Sequence, residues 1–166
     1  MDLQSNNISG IGGRSIMMSL CPTLNNSPPQ IVSLNLSNNQ LGRGNDFIKE
    51  LANRFESDKF HLQDLNLAQN GINDNQIETL CIGLESIPNT SLTKLNLSKN
   101  QITDSGIKHI AWLFDKCDGI SNIAELYLGW NKISGPGAAS VAQIMRQNPK
   151  LKVMDLCWNG LGQGHR

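Results

Sequence analysis

Leu92-Thr93-Lys94-Leu95-Asn96-Leu97-Ser98-Lys99-Asn100-Gln101-Ile102 carries aliphatic residues at Leu92, Leu95, Leu97 and Ile102, with an asparagine at Asn100. The same phrase returns from Ile31 (Leu34, Leu36, Asn39, Leu41), from Leu62 (Leu65, Leu67, Asn70, Ile72) and from Ile123 (Leu126, Leu128, Asn131, Ile133). A further copy runs from Leu151 through Leu156, Asn159 and Leu161, with Met154 replacing a leucine at nearly constant volume. The chain opens on a partial copy made of Met1, Leu3, Asn6 and Ile8. The marker asparagines Asn6, Asn39, Asn70, Asn100, Asn131 and Asn159 thus recur at steps of 33, 31, 30, 31 and 28 residues. Self-similarity at such a period marks a stack of repeated supersecondary units.

Within a copy, Leu95 and Leu97 point to one side of an extended segment while Lys94, Asn96 and Ser98 point to the other, which predicts one short strand per copy. An asparagine amide donates and accepts at once, so the marker residues are expected to satisfy backbone groups of their own turn and of the adjacent copy, forming a ladder. Between strands the apolar spacing becomes helical: Gly13, Ile16, Met17, Leu20; Ile77, Leu80, Cys81, Leu84; Ile107, Ile110, Ala111, Phe114; and Ala138, Val141, Ala142, Met145. Ile48, Leu51, Ala52 and Phe55 fit after a two-residue insertion near Gly42-Arg43-Gly44. Asp104 ahead of Gly106, and Ser134 ahead of Pro136, suit helix caps and first turns. A helix is wider than the roughly 4.8 Å between neighbouring strands. The helix side must therefore splay, leaving the strand side concave.

These phrases resemble the ribonuclease-inhibitor-like class of leucine-rich repeats, over essentially the whole chain. The resemblance implies an α/β leucine-rich-repeat solenoid, a right-handed αβ horseshoe arc with parallel strands on the concave face and helices on the convex face. Residues 1–166 are expected to form a single domain of about five to six repeats. Solenoids need polar terminal units, and here both ends read as uncapped, which predicts a piece of a longer array or self-association through the ends. The class includes inhibitors, innate immune sensors, GTPase activators, cilia proteins and bacterial effectors. It implies a scaffold, adaptor or effector that binds a protein partner in the cytoplasm, or in the host cytosol for a delivered effector.

With leucines and marker asparagines assigned to the scaffold, the outward strand positions remain for function. They include Asn35; Asp64 and Asn66; Lys94, Asn96 and Lys99; Glu125, Tyr127 and Trp130; and Asp155 and Trp158. Four such positions on each of six strands make 24 residues, the size of one side of a standard interface at about 20–30 residues. Trp130 and Trp158 hold the same place in consecutive copies, so their rings are expected to be neighbours. Exposed Trp and Tyr are enriched among interface anchors. Alternatively, the two rings cover the corner beside the asparagine ladder.

Other chemistry finds little support. Equal numbers of acidic and basic residues give a formal charge of +0, and the Lys and Arg residues are scattered without aromatic interleaving, against a nucleic-acid surface. No segment has the length and hydropathy of a membrane span. Cys21, Cys81, Cys117 and Cys157 are far apart with no C-x-x-C pair, against zinc or redox motifs and in keeping with free thiols in a reducing cytosol. Cys81 fills a core slot, whereas Cys157 falls on the outward side of a strand. His61, His109 and His165 form no recurring geometry with a nucleophile or carboxylate, so neither an enzyme nor a cofactor is expected. Gly10, Gly12 and Gly13 recur as Gly106 and Gly137 in later copies, and no Lys-Ser/Thr follows them as in a phosphate loop. The alternative from another class is a GTPase-activating protein resembling the activator of Ran. It would need an Asn or Arg presented near a strand exit, for which Arg43 is the suggestive residue.

Overall fold

The computed structural model describes residues 1–20, 31–55, 61–85, 91–116 and 122–162. Strands β1 (Ser33–Asn35), β2 (Asp64–Asn66), β3 (Lys94–Asn96), β4 (Glu125–Tyr127) and β5 (Val153–Asp155) form one parallel sheet in chain order. Parallel neighbours need a crossover, and helices supply it: α1 (Gly10–Ser19), α2 (Asp46–Phe55), α3 (Asp74–Glu85), α4 (Asp104–Lys116) and α5 (Ala138–Gln147). Strands in register place Leu34, Leu65, Leu95, Leu126 and Met154 side by side. Consecutive helices pack on one another. The leucine phrase and the inner helix faces meet in one continuous apolar cluster, so the fold is an α/β solenoid.

The opening copy, expected to add a full sixth strand, is joined to the next copy by two isolated parallel bridges, Asp2 to Asn35 and Ser9 to Gln40. Ser5 and Asn7 both have left-handed backbone, at φ 61° and 55°. Gln69 and Gly71 flank Asn70 with positive φ in the same way.

The helix frames hold in α2, α3 and α4 but not in α5. There Gly137, Ser140, Val141 and Ile144 are buried, while Ala138, Ala142 and Met145, expected in the core, are exposed. Ile107, Ala111 and Phe114 of α4 occupy the row corresponding to those exposed positions, and it is buried where a following helix covers it. Among the described residues α5 has a helical neighbour on one side only, so this row stays open. At the other end α1 buries the matching Gly13 and Met17, and a Cβ on Gly13 would collide with Leu41 and Phe47 of the next copy.

The insertion in the second copy is tied down from the third. Buried Gln76 donates its Nε2 to Gly42 O (3.1 Å) and Gly44 O (2.6 Å). Its Oε1 accepts from Asn73 N (3.0 Å) while Asn73 Oδ1 accepts from Gln76 N (3.2 Å), a reciprocal cap at the start of α3.

Asp104 and Ser134, expected to cap their own helices, bond to each other across copies. Asp104 is the first residue of α4, and its carboxylate accepts from Ser134 N (2.7 Å) and Ser134 Oγ (2.5 Å). The Ser134 side chain makes no cap bond to the 3₁₀ turn Gly135–Gly137 that it precedes. Asp74 receives Thr103 N (2.8 Å) and Oγ1 (2.6 Å) in the same way. A Cβ at Gly106 or Gly137 would collide with Asp74 Oδ1 or Asp104 Oδ1. These glycines thus make room for the preceding copy's carboxylate.

The Ser134 hydroxyl, followed by the N–H groups of Ser134 and Gly137, holds the Asp104 carboxyl below the usual carboxylate range. A depressed folded-state value means the stabilisation is complete above the ordinary aspartate value of about 3.9. It is lost as pH falls through the folded-state value. Urea unfolding between about pH 6 and pH 2 is expected to show a steeper acid loss for the parent chain than for Asp104→Ala. Parallel curves would remove Asp104 from the acid response.

Candidate functional site

The outward side chains are held by two ladders. Asn100 donates Nδ2 to Leu97 O (2.9 Å) in its own copy and to Leu67 O (3.0 Å) in the preceding one. Its Oδ1 accepts from Asn70 N (3.1 Å) and Ile72 N (3.0 Å). The side chains of Asn39, Asn70, Asn131 and Asn159 likewise bridge to the preceding copy through both oxygen and nitrogen. Asn6 differs, its Nδ2 donating to Gln4 O (3.0 Å) within its own turn.

The residue before each marker asparagine (Ser5, Asn38, Gln69, Lys99, Trp130, Trp158) is left-handed, with φ between 55° and 61°. In all but Trp158 its backbone N–H donates to the next copy, as from Lys99 to Gly129 O (2.8 Å) and from Trp130 to Cys157 O (2.8 Å). The conformation is imposed by the stack rather than by the side chain. No glycine signals it in the sequence.

On the sheet face the candidate residues divide into two regions. Over β1 to β4 lies a hollow of about 570 Å³ whose walls include Asp2, Asn35, Asp64, Asn66, Lys94 and Tyr127. Asn96 also lines it. A space bounded by four successive strands requires an inward-curving sheet. Asn35, Asn66 and Asn96 each turn Oδ1 back onto the N–H two residues later (3.1, 3.1 and 3.0 Å). That local bond fixes the carboxamide.

Across β3 and β4, Lys94 Nζ lies 3.2 Å from Glu125 Oε2, and the Tyr127 hydroxyl donates to the same oxygen (2.8 Å). Lys94 Nζ also stands 5.5 Å from the centre of the Tyr127 ring. The Tyr127 hydroxyl and then the Lys94 ammonium pull the Glu125 carboxyl down, while the bond to Glu125 pushes both Lys94 and Tyr127 up. The network keeps Glu125 and Lys94 charged and Tyr127 neutral around neutral pH. Asp64 receives the Ser33 hydroxyl at 3.3 Å.

The second region is aromatic. Trp130 and Trp158 stack with ring centroids 4.5 Å apart and planes 20° from parallel. Trp130 is 49% exposed and Trp158 70%. Their stacking is expected under either the anchor or the corner-cover reading. They lie at the strand exits rather than among the hollow's lining residues.

Asp155 accepts from Cys157 N (2.9 Å). The hydrogen bond to Asp155 pushes the exposed Cys157 thiol up, and the thiol in turn holds the Asp155 carboxyl down. This thiol is shielded by charge rather than by burial. Iodoacetamide labelling at about pH 8, mapped to Cys157, is expected to run severalfold faster in Asp155→Asn; an unchanged rate would remove Asp155 as the controlling group. Cys81 is buried on α3. Cys21, Cys117 and His165 lie outside the described residues. His61 is exposed and His109 half-buried on α4; Arg43 is exposed on the insertion, with its backbone N–H on Gln40 O (3.1 Å).

A family model described as Leucine Rich repeat matches residues 58–81, 89–111 and 120–142. The chain is 32% identical over 101 residues to a protein phosphatase 1 regulatory subunit 37 homolog of Caenorhabditis elegans, covering 61% of this chain and 10% of that protein. It is 35% identical over 75 residues to NACHT, LRR and PYD domains-containing protein 13 of Homo sapiens, covering 45% and 7%. The matched stretch is therefore a tenth or less of either relative's length. The strand phrase, the asparagine ladder and the matched repeats coincide along the same segments, and the chain belongs to the leucine-rich-repeat family.

Proposed function

We propose that this chain is a non-catalytic interaction module that receives a partner protein on its concave strand face, with Trp130 and Trp158 as anchors and Tyr127 nearby. The observation carrying this reading is the exposed indole stack. Large, rigid aromatic surface at low conformational cost is what interface anchors supply. The polar hollow beside it offers carboxamides and charges already fixed by internal bonds, which favour specificity over raw affinity. The relatives' names, a phosphatase regulatory subunit homolog and proteins with LRR domains in larger chains, agree with a module that serves a bigger assembly. The exposed thiol of Cys157 suits a cytoplasmic setting.

Affinity capture from lysate followed by mass identification tests this reading, run on the parent chain and on Trp130→Ser combined with Trp158→Ser. A captured protein is expected to be lost from the double variant at an unchanged thermal midpoint. Loss of the fold without a specific loss of capture would assign the rings to packing instead.

A further inference from the structure

Along the strand exits, the residues just before and just after the marker asparagines form two parallel rows. In the described copies the charged members of these rows are Lys99 and Lys132. Both are exposed, and neither ammonium has a hydrogen bond or ion pair among the described residues. On the strand face proper Lys94 is paired with Glu125, while the Asp64 and Asp155 carboxylates keep their charge and are turned onto the Ser33 hydroxyl and the Cys157 N–H. Within the two rim rows the charge is therefore positive.

The same rim carries the indole stack. Lys99, Trp130 and Trp158 take successive places in the left-handed column, and Lys132 follows Trp130 by two residues. Two strand spacings separate the place of Lys99 from that of Trp158, roughly 10 Å at about 4.8 Å each. An extended peptide covers that in about three residues at roughly 3.3 Å per residue.

We propose that this rim binds an extended acidic peptide segment of a partner protein, with a large apolar side chain on the Trp158 face and a carboxylate about three residues away meeting Lys99 and Lys132. The inference rests on the protein-binding reading above and adds the partner's charge and spacing. Opposite charge steers the encounter, while the stacked rings supply the apolar contact.

Three fluorescein-labelled peptides test it by polarisation against the full chain: glutamates around one leucine, and the same peptide with lysine or serine in place of glutamate. The glutamate peptide is expected to bind, and added salt to weaken it. Lys99→Glu combined with Lys132→Glu, and separately Trp158→Ser, are each expected to weaken it by about tenfold or more. Lys49→Glu on α2 should leave binding unchanged, with circular dichroism melts establishing that every variant folds. Equal Trp158-dependent binding of the serine or lysine peptide overturns the charge assignment while supporting aromatic anchoring. If no probe binds in a Trp158-dependent way, the inference is overturned, and the capture experiment separately decides the broader reading.

Discussion

Asn100→Leu is expected to lower the free energy of unfolding by about 3–5 kcal/mol, since each buried polar group left without a partner costs about 1–3 kcal/mol. The substitution strips acceptors from Asn70 N and Ile72 N, while Leu67 O and Leu97 O lose one donor each and keep Asn70 Nδ2 and Asn131 Nδ2. Leucine has nearly the same size, so the loss isolates hydrogen bonding from volume. Against a typical total of about 5–15 kcal/mol this is a large fraction. Urea unfolding followed by circular dichroism measures it. Exposed Gln101→Ala next door provides the comparison, expected within about 0.5 kcal/mol of the parent chain. A midpoint for Asn100→Leu as close to the parent as that would show that the ladder is not what joins the copies.

Phe47→Ala is expected to cost about 3–5 kcal/mol, the usual loss when a buried aromatic is deleted from a packed core. Phe47 is fully buried, and α1 approaches its ring so closely that Gly13 has no room for a Cβ. The cavity would therefore open between the first two helices. In a nearest-neighbour stack such damage stays close to its origin. Hydrogen exchange should accelerate most in α1 and α2 and least in α4. Uniform acceleration along the whole chain would instead mean that the array unfolds as one unit.

The strands were readable because alternation and a fixed marker residue reinforce each other: Leu95 and Leu97 point inward wherever Asn100 recurs as Asn70 or Asn131. The helix stripes were readable where a helix is flanked on both sides, as α4 is. They misled in α5, because Ala138, Ala142 and Met145 have the right spacing but no neighbour among the described residues to cover them. Phe47 was missed because later copies carry Gln76, Gly106 and Gly137 at its place in the helix frame, none of them a large apolar side chain. Asp104 and Ser134 look like local caps, and their pairing is visible only when the copies stack.

The aromatic stack was legible for a simple reason: equal place in consecutive copies means adjacency. What the letters could not convey was the backbone conformation there, because serine, asparagine, glutamine, lysine and tryptophan all occupy it. They also gave no sign that Lys94 pairs with Glu125 while Tyr127 bonds the same carboxylate, or that Lys99 and Lys132 have no ion pair among the described residues. Pairing among neighbours depends on side-chain reach, which periodicity does not encode.

The left-handed column has a consequence for how such a surface can change. A bulky side chain is crowded in that conformation by about 1–2 kcal/mol relative to glycine, yet the chain accepts indoles there because amides from adjoining turns dictate the bend. The column behaves as a row of identical sockets whose shape is indifferent to what is plugged in. Recognition can be rewritten socket by socket while the spine beneath keeps its geometry.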